Sequence, residues 1–136
     1  MTQALIIPTH ENWVRVDTSG GPLTLTRRAT GSALQFSGAQ HRPGNLPAVS
    51  TDMLVEICRK FTGKVEKARE IGSGSGGCRF GLFGTVTVQG GESAHFQVWV
   101  LSNGQAFILV SHTCNLVPDA EEIAEANEIA LDSVLG

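Results

Sequence analysis

No tyrosine occurs in this chain, and no lysine or arginine follows Arg79. With no tyrosine, a net charge of −3 and no basic-aromatic platform, Arg27-Arg28 and Arg59-Lys60 being isolated pairs, no nucleic-acid partner is expected. No run approaches the roughly 18 apolar residues of a membrane-spanning helix, so no membrane partner is expected. Met1–Pro8 lacks a basic leader and carries too short an apolar stretch for a secretory signal. With Met1 as the native start, a cytoplasmic location is expected. Cysteine is scarce: Cys58, Cys78 and Cys114 are odd in number and at no metal-like spacing. They read as reduced, buried thiols, with no disulfide framework.

Catalytic signatures are missing too. There is no nucleophile elbow and no Cys-His signature. The only glycine motif, Gly72-x-Gly74-x-x-Gly77, is followed by strand-like Cys78-Arg-Phe-Gly-Leu-Phe83. A pyrophosphate cradle needs a helix N-terminus at that point, so Gly72–Gly77 reads as a flexible loop. No enzyme activity and no cofactor are expected.

What is present is a strong hairpin signal. Asn103-Gly104 sits between Ala94–Ser102 and Gln105–Cys114, both β-rich. A two-residue type I′ turn would place Leu101 opposite Ala106 and Trp99 opposite Ile108. Phe96, Val98, Val100, Phe107 and Leu109 then share one face. Trp99, Leu101, Ala106, Ile108 and Val110 share the other, because side chains alternate. Neither face is polar, so both need cover, from a helix, a second sheet or a second subunit. On this reading Trp99 is buried by a helix or by a partner, including a second copy of the chain.

Earlier segments read as strands at Trp13–Asp17, Leu23–Arg27 and Ala33–Ala39, with Ala4–Ile7 as a short apolar run. Ser19–Pro22 is expected as a turn and Arg42–Pro47 as a loop. A first helix begins after Ser50, a good N-cap, with Asp52 in its first turn and Val49 and Leu54 as a hydrophobic staple. Its apolar stripe is Met53, Leu54, Ile57, Cys58 and Phe61; Gly63 is the expected C′ residue, and Glu56–Lys60 an exposed i,i+4 pair. Lys64–Glu70 is ambiguous, Cys78–Gln89 reads as a strand, and Gly90-Gly91 as a turn. A last helix is expected from Asp119 to Leu135, marked by Pro118 and acids in its first turn. Its apolar face is Ile123, Ala126, Ala130 and Val134, widened by Ile129 and Leu131. The expected object is a single α+β domain spanning residues 1–136, an antiparallel sheet of about six strands packed by two helices.

Charge is distributed unevenly. Residues 1–79 hold ten basic and six acidic residues; residues 80–136 hold seven acidic and no basic ones. On the last helix Glu121, Glu125, Glu128 and Asp132 follow i,i+3 and i,i+4 steps and read as one acidic stripe. Like charges so spaced destabilise a helix by about 0.2–0.5 kcal/mol per pair. The stripe is therefore a candidate surface for a cationic protein partner, with simple solubility as the alternative. His95, opposite His112 in the expected register, and Cys114 on the same face are candidate metal ligands. No fourth ligand is evident, and His10 and His41 lie on separate loops, so no metal is expected.

The order of elements is similar to the α/β sandwich shared by the Mog1, PsbP and DcrB-like proteins. The features that carry this resemblance are Trp13 after a short apolar run, the helix Asp52–Phe61, the antiparallel set Cys78–Cys114 and the closing helix Glu121–Leu135. The group includes bacterial chaperone-like proteins that accompany secreted effectors, and small proteins of this look act as immunity partners to toxins. The resemblance implies protein binding without chemistry, by an immunity protein that occludes a toxin or by an adaptor or chaperone. A small metal-binding protein or enzyme using His95, His112 and Cys114 is the reading from a different class.

Overall fold

A computed structural model describes residues 5–16, 23–40 and 49–135. The expected turn at Ser19–Pro22, the loop at Arg42–Pro47, Asp17 and His41 lie outside the described residues.

Two antiparallel meanders form the sheet. The first is β2 (Trp13–Val16), β3 (Leu23–Arg27) and β4 (Ala33–Gln40), after a short β1 (Leu5–Ile6). The helix α1 (Thr51–Thr62) leads to the second: β5 (Ala68–Cys78), β6 (Gly81–Gly90), β7 (Ser93–Ser102) and β8 (Ala106–Cys114). The meanders join where β4 pairs β8, so the order is β2-β3-β4-β8-β7-β6-β5. The second helix, α2 (Ala120–Leu131), follows, and β9 (Val134–Leu135) pairs with β1. The main sheet thus has seven strands, where about six are expected.

Both faces are covered, as the two-faced hairpin requires. Leu54 and Cys58 of α1 pack on Val86, Val88, Val98 and Val100. Ala126, Ile129 and Ala130 of α2 pack on the opposite face, against Trp13, Leu34, Phe36, Trp99, Leu101, Ile108 and Val110. Trp99 is fully buried beneath α2, and its Nε1 donates to Asn127 Oδ1 at 3.0 Å. No second subunit is needed to cover it, and Trp99 is not on a partner surface. α1 sits close on the sheet at Gly84, where a Cβ would stand 2.5 Å from the backbone nitrogen of Val55.

Several expectations are corrected. The β7–β8 register pairs Trp99 with Val110 and Leu101 with Ile108, two residues from the two-residue-loop register. The side chains keep their faces because the slip is even. A type I′ turn needs positive φ at both central residues, and here Gly104 has it (φ 90°) while Asn103 does not. Asn103 Oδ1 instead accepts from the backbone nitrogens of Gln105 and Ala106, both at 2.9 Å, and holds a longer loop.

Gly72–Gly77 is not a loop but part of edge strand β5, with a register shift between Glu70 and Gly72. Its glycines make room for β6 side chains: a Cβ on Gly76 would lie 3.3 Å from the Phe83 ring. No helix N-terminus follows, so the phosphate motif remains unsupported. Gly63 caps α1 with right-handed φ (−65°), not as a left-handed C′ residue. Glu56 pairs with Arg59 at 2.8 Å, not with Lys60, and Arg59 also reaches Glu70. Phe61 is partly exposed under Lys64, and Thr62 takes the last inward position of α1. α2 stops at Leu131, four residues early, because Val134-Leu135 leave the helix to pair with β1.

Replacing Trp99 by alanine should destabilise the fold by about 3–5 kcal/mol, from lost burial and the cavity left behind. Urea unfolding of the two proteins measures this, and a loss below about 1 kcal/mol would mean that α2 does not pack on Trp99 as described.

Candidate functional site

Alternation along β8 places Ala106, Ile108, Val110, His112 and Cys114 on the α2 face. The apolar residues end at Val110; the last two positions are an imidazole and a thiol. On β7, His95 and Gln97 precede Trp99 in the same way, and Arg27 continues the inward row of Leu25 on β3. The inward face of α2 is Glu122, Glu125, Ala126, Ile129 and Ala130, so its first turns present acids where a core stripe would be apolar. The sheet and helix therefore enclose a polar layer at one end of the core.

Arg27 holds that layer together. Its Nε donates to Glu125 Oε1 at 3.0 Å, and its Nη1 lies 3.6 Å from Glu122 Oε1. Trp13 Nε1 donates to Glu125 Oε1 at 3.0 Å and Asn12 Nδ2 to Glu125 Oε2 at 2.8 Å. Thr30 Oγ1 donates to Glu122 Oε1 at 3.0 Å. The other carboxylate oxygen, Glu122 Oε2, lies 2.8 Å from His112 Nε2 and 3.4 Å from Cys114 Sγ, and Sγ is 3.1 Å from Nε2. The rings of Trp13 and His95 meet His112 edge-on, with centroids 5.9 and 5.6 Å away. His95 Nδ1 is 3.3 Å from Gln89 Nε2, whereas His95 Nε2 and His112 Nδ1 are buried without a hydrogen-bond partner.

The charge states follow from these contacts. The Arg27 hydrogen bond, with those from Asn12 and Trp13, holds Glu125 down at about 2 against the opposing effect of burial. Burial pushes Glu122 up, but hydrogen bonds from Ser32, His112, Thr30 and Cys114 outweigh it and the carboxyl lies below its usual value. Burial lowers His112 and His95, leaving both neutral near pH 7, with His112 Nε2–H donating to Glu122. Burial pushes the Cys114 thiol up to about 12.

A nucleophile triad would have its acid on the far nitrogen of the base. Here acid and thiol both meet His112 Nε2, and Cys114 is buried. The arrangement is not a nucleophilic relay; three heteroatoms converge on one point, which is the geometry of a ligand set. His112, Cys114 and Glu122 are the described residues placed to hold a metal ion.

The sequence brought His95, His112 and Cys114 to one face, and the structure keeps them there. It adds Glu122 and Arg27, which sequence reading missed, and Glu125, which sequence reading places on the outer stripe. The signal was available: Glu122 and Glu125 stand seven and four residues before Ile129, on its face of the helix. The expected acidic stripe is corrected accordingly. Glu125 is buried against Arg27 and leaves the surface. Glu121 and Glu128 are exposed, and Asp132 pairs with Arg79 at 3.6 Å.

No family model and no curated protein matches the chain. The solved structures include a similar one, the solution structure of cyanobacterial PsbP (CyanoP) from Synechocystis sp. PCC 6803. Its TM-score is 0.60 at 13% identity, covering 99% of this chain and 93% of that one. The likeness establishes a PsbP-like fold and says nothing of the polar layer.

Glu125 contributes stability above its unfolded value of 4.5, and loses it as pH falls through its folded value of about 2. Glu125→Gln should therefore be less stable than the parent near pH 7, and the difference should shrink steadily below pH 4.5. Urea midpoints of both proteins across this range check it; a gap that stays constant with pH would remove the Glu125 charge from the account.

Proposed function

We propose that the chain is a non-catalytic protein-binding module whose partner surface is the start of α2 and the segment before it. The observation that carries this is Leu116-Val117, 81% and 63% exposed, beside the exposed acids Asp119 and Glu121. The outer face of α2 continues as Ala124 and Glu128. Two adjacent apolar side chains rimmed by acids suit a partner with an apolar pocket in a basic surround. The buried position of His112, Cys114, Glu122 and Glu125 supports the same reading, because these groups serve each other and are closed to substrate.

Within that reading, the resemblance to the Mog1, PsbP and DcrB-like group favours an immunity protein that occludes a cationic toxin in the bacterial cytoplasm. The alternative, an adaptor or chaperone for a secreted protein, is favoured by edge strand β5, where Ile71 is exposed and no strand pairs the outer side among the described residues. Such an edge accepts an extended peptide as an added strand.

The test uses the tagged protein to capture its partner from the source cell, followed by association kinetics on the purified pair. The on-rate should fall about tenfold as salt rises from low to high ionic strength. Glu121→Lys with Glu128→Lys should slow it further, and Leu116→Ser with Val117→Ser should speed dissociation. An on-rate independent of salt and of the charge reversal, with dissociation unchanged by the serine pair, would contradict the proposed surface.

A further inference from the structure

We propose that His112 Nε2, Cys114 Sγ and Glu122 Oε2 bind one zinc ion that is taken up on folding and locks α2 onto the sheet. The donors are an imidazole, a thiol and a carboxylate, the set that suits this borderline-soft cation. They are 2.8, 3.1 and 3.4 Å apart. Zinc at about 2.0–2.3 Å from each, in tetrahedral array, needs donors about 3.3–3.6 Å apart. The triangle must therefore open by about half an ångström at most. The buried Ser32 hydroxyl, hydrogen-bonded with Thr30 at 3.1 Å, stands beside Glu122 and Cys114 and offers a fourth oxygen.

The groups around the triangle hold it in place. Glu122 is anchored through its second oxygen by Thr30 and Arg27. The His112 ring is fixed edge-on between Trp13 and His95. Oriented ligands of this kind are what a metal site requires of its surroundings. Charge supports the same assignment. A divalent ion is matched among its own ligands by the Glu122 carboxylate and the Cys114 thiolate, as a buried charge requires. Binding releases the thiol proton to solvent and moves the His112 proton from Nε2 to Nδ1, the nitrogen that has no other partner. No residue of the partner surface proposed above takes part, so the two readings stand or fall separately.

The test refolds the denatured, reduced, metal-stripped chain with Zn²⁺ or Co²⁺, against a chelator control. One equivalent of Co²⁺ should bind, with a thiolate-to-cobalt charge-transfer band that Zn²⁺ abolishes. About one proton per ion should be released near neutral pH. The band should be lost in Cys114→Ser, weakened in Glu122→Gln and kept in Cys58→Ser. X-ray absorption of the zinc-loaded parent should show one sulfur at about 2.3 Å, a readout that needs no variant to fold. A natively folded chain that takes up no stoichiometric metal overturns the proposal. So does a band that survives Cys114→Ser, or a zinc shell without sulfur.

Discussion

The Arg27–Glu125 ion pair decides how α2 sits on the sheet. One partner comes from the N-terminal meander and the other from the C-terminal helix, and both are nearly closed to water. A charge in that position is tolerated only with a counter-charge and hydrogen bonds for its remaining atoms. Glu125 has Trp13 and Asn12 for this, and Arg27 has Glu122 as a second acid. The apolar contacts of Ala126, Ile129 and Ala130 supply the burial that drives docking. Such contacts are non-directional, whereas the ion pair admits one rotation of the helix about its axis.

That rotation has consequences at both faces of α2. Inward, it carries Glu122 to His112 and Cys114, so the thiol, imidazole and carboxylate meet at one point. Outward, it leaves Glu121, Ala124 and Glu128 in solvent. A buried polar layer and an acidic outer face are thus two sides of one placement. They also explain the uneven charge of the sequence: of the seven acids after Arg79, two are consumed by the core and need a base from the first half. The lopsided halves are folded against each other at Arg27.

Much of the architecture was legible because period-two patterning is hard to disguise. The faces of β7 and β8 survive a two-residue slip in register, since parity sets the face and loop length only the offset. Ser50 caps α1 through Met53, as its side chain and position demand. Legibility failed where local preference was overridden by pairing. Gly72–Gly77 reads as a loop on composition, but β6 offers it a complete ladder and side chains such as Phe83 to cover its glycines. Val134 and Leu135 continue the helical spacing, yet strand pairing with Leu5 and Ile6 captures them. At the site, β-strand parity revealed His95, His112 and Cys114. Glu122 and Glu125 were hidden by the ordinary expectation that helix acids face water. Only the partner base, far away in sequence, reverses it.

The central claim is that Arg27 and Glu125 act as one unit in fixing α2, and a double-mutant cycle measures it most directly. Urea unfolding would compare the parent with Arg27→Met, Glu125→Met and the double variant. Each single change should destabilise by about 3–5 kcal/mol, because Arg27→Met leaves two buried acids without their base, and Glu125→Met takes from Arg27 its closest acid and from Trp13 and Asn12 their acceptor. The double variant should be much less damaged than the sum, with a coupling of at least about 1.5 kcal/mol. Additive losses, with no recovery in the double variant, would contradict the account.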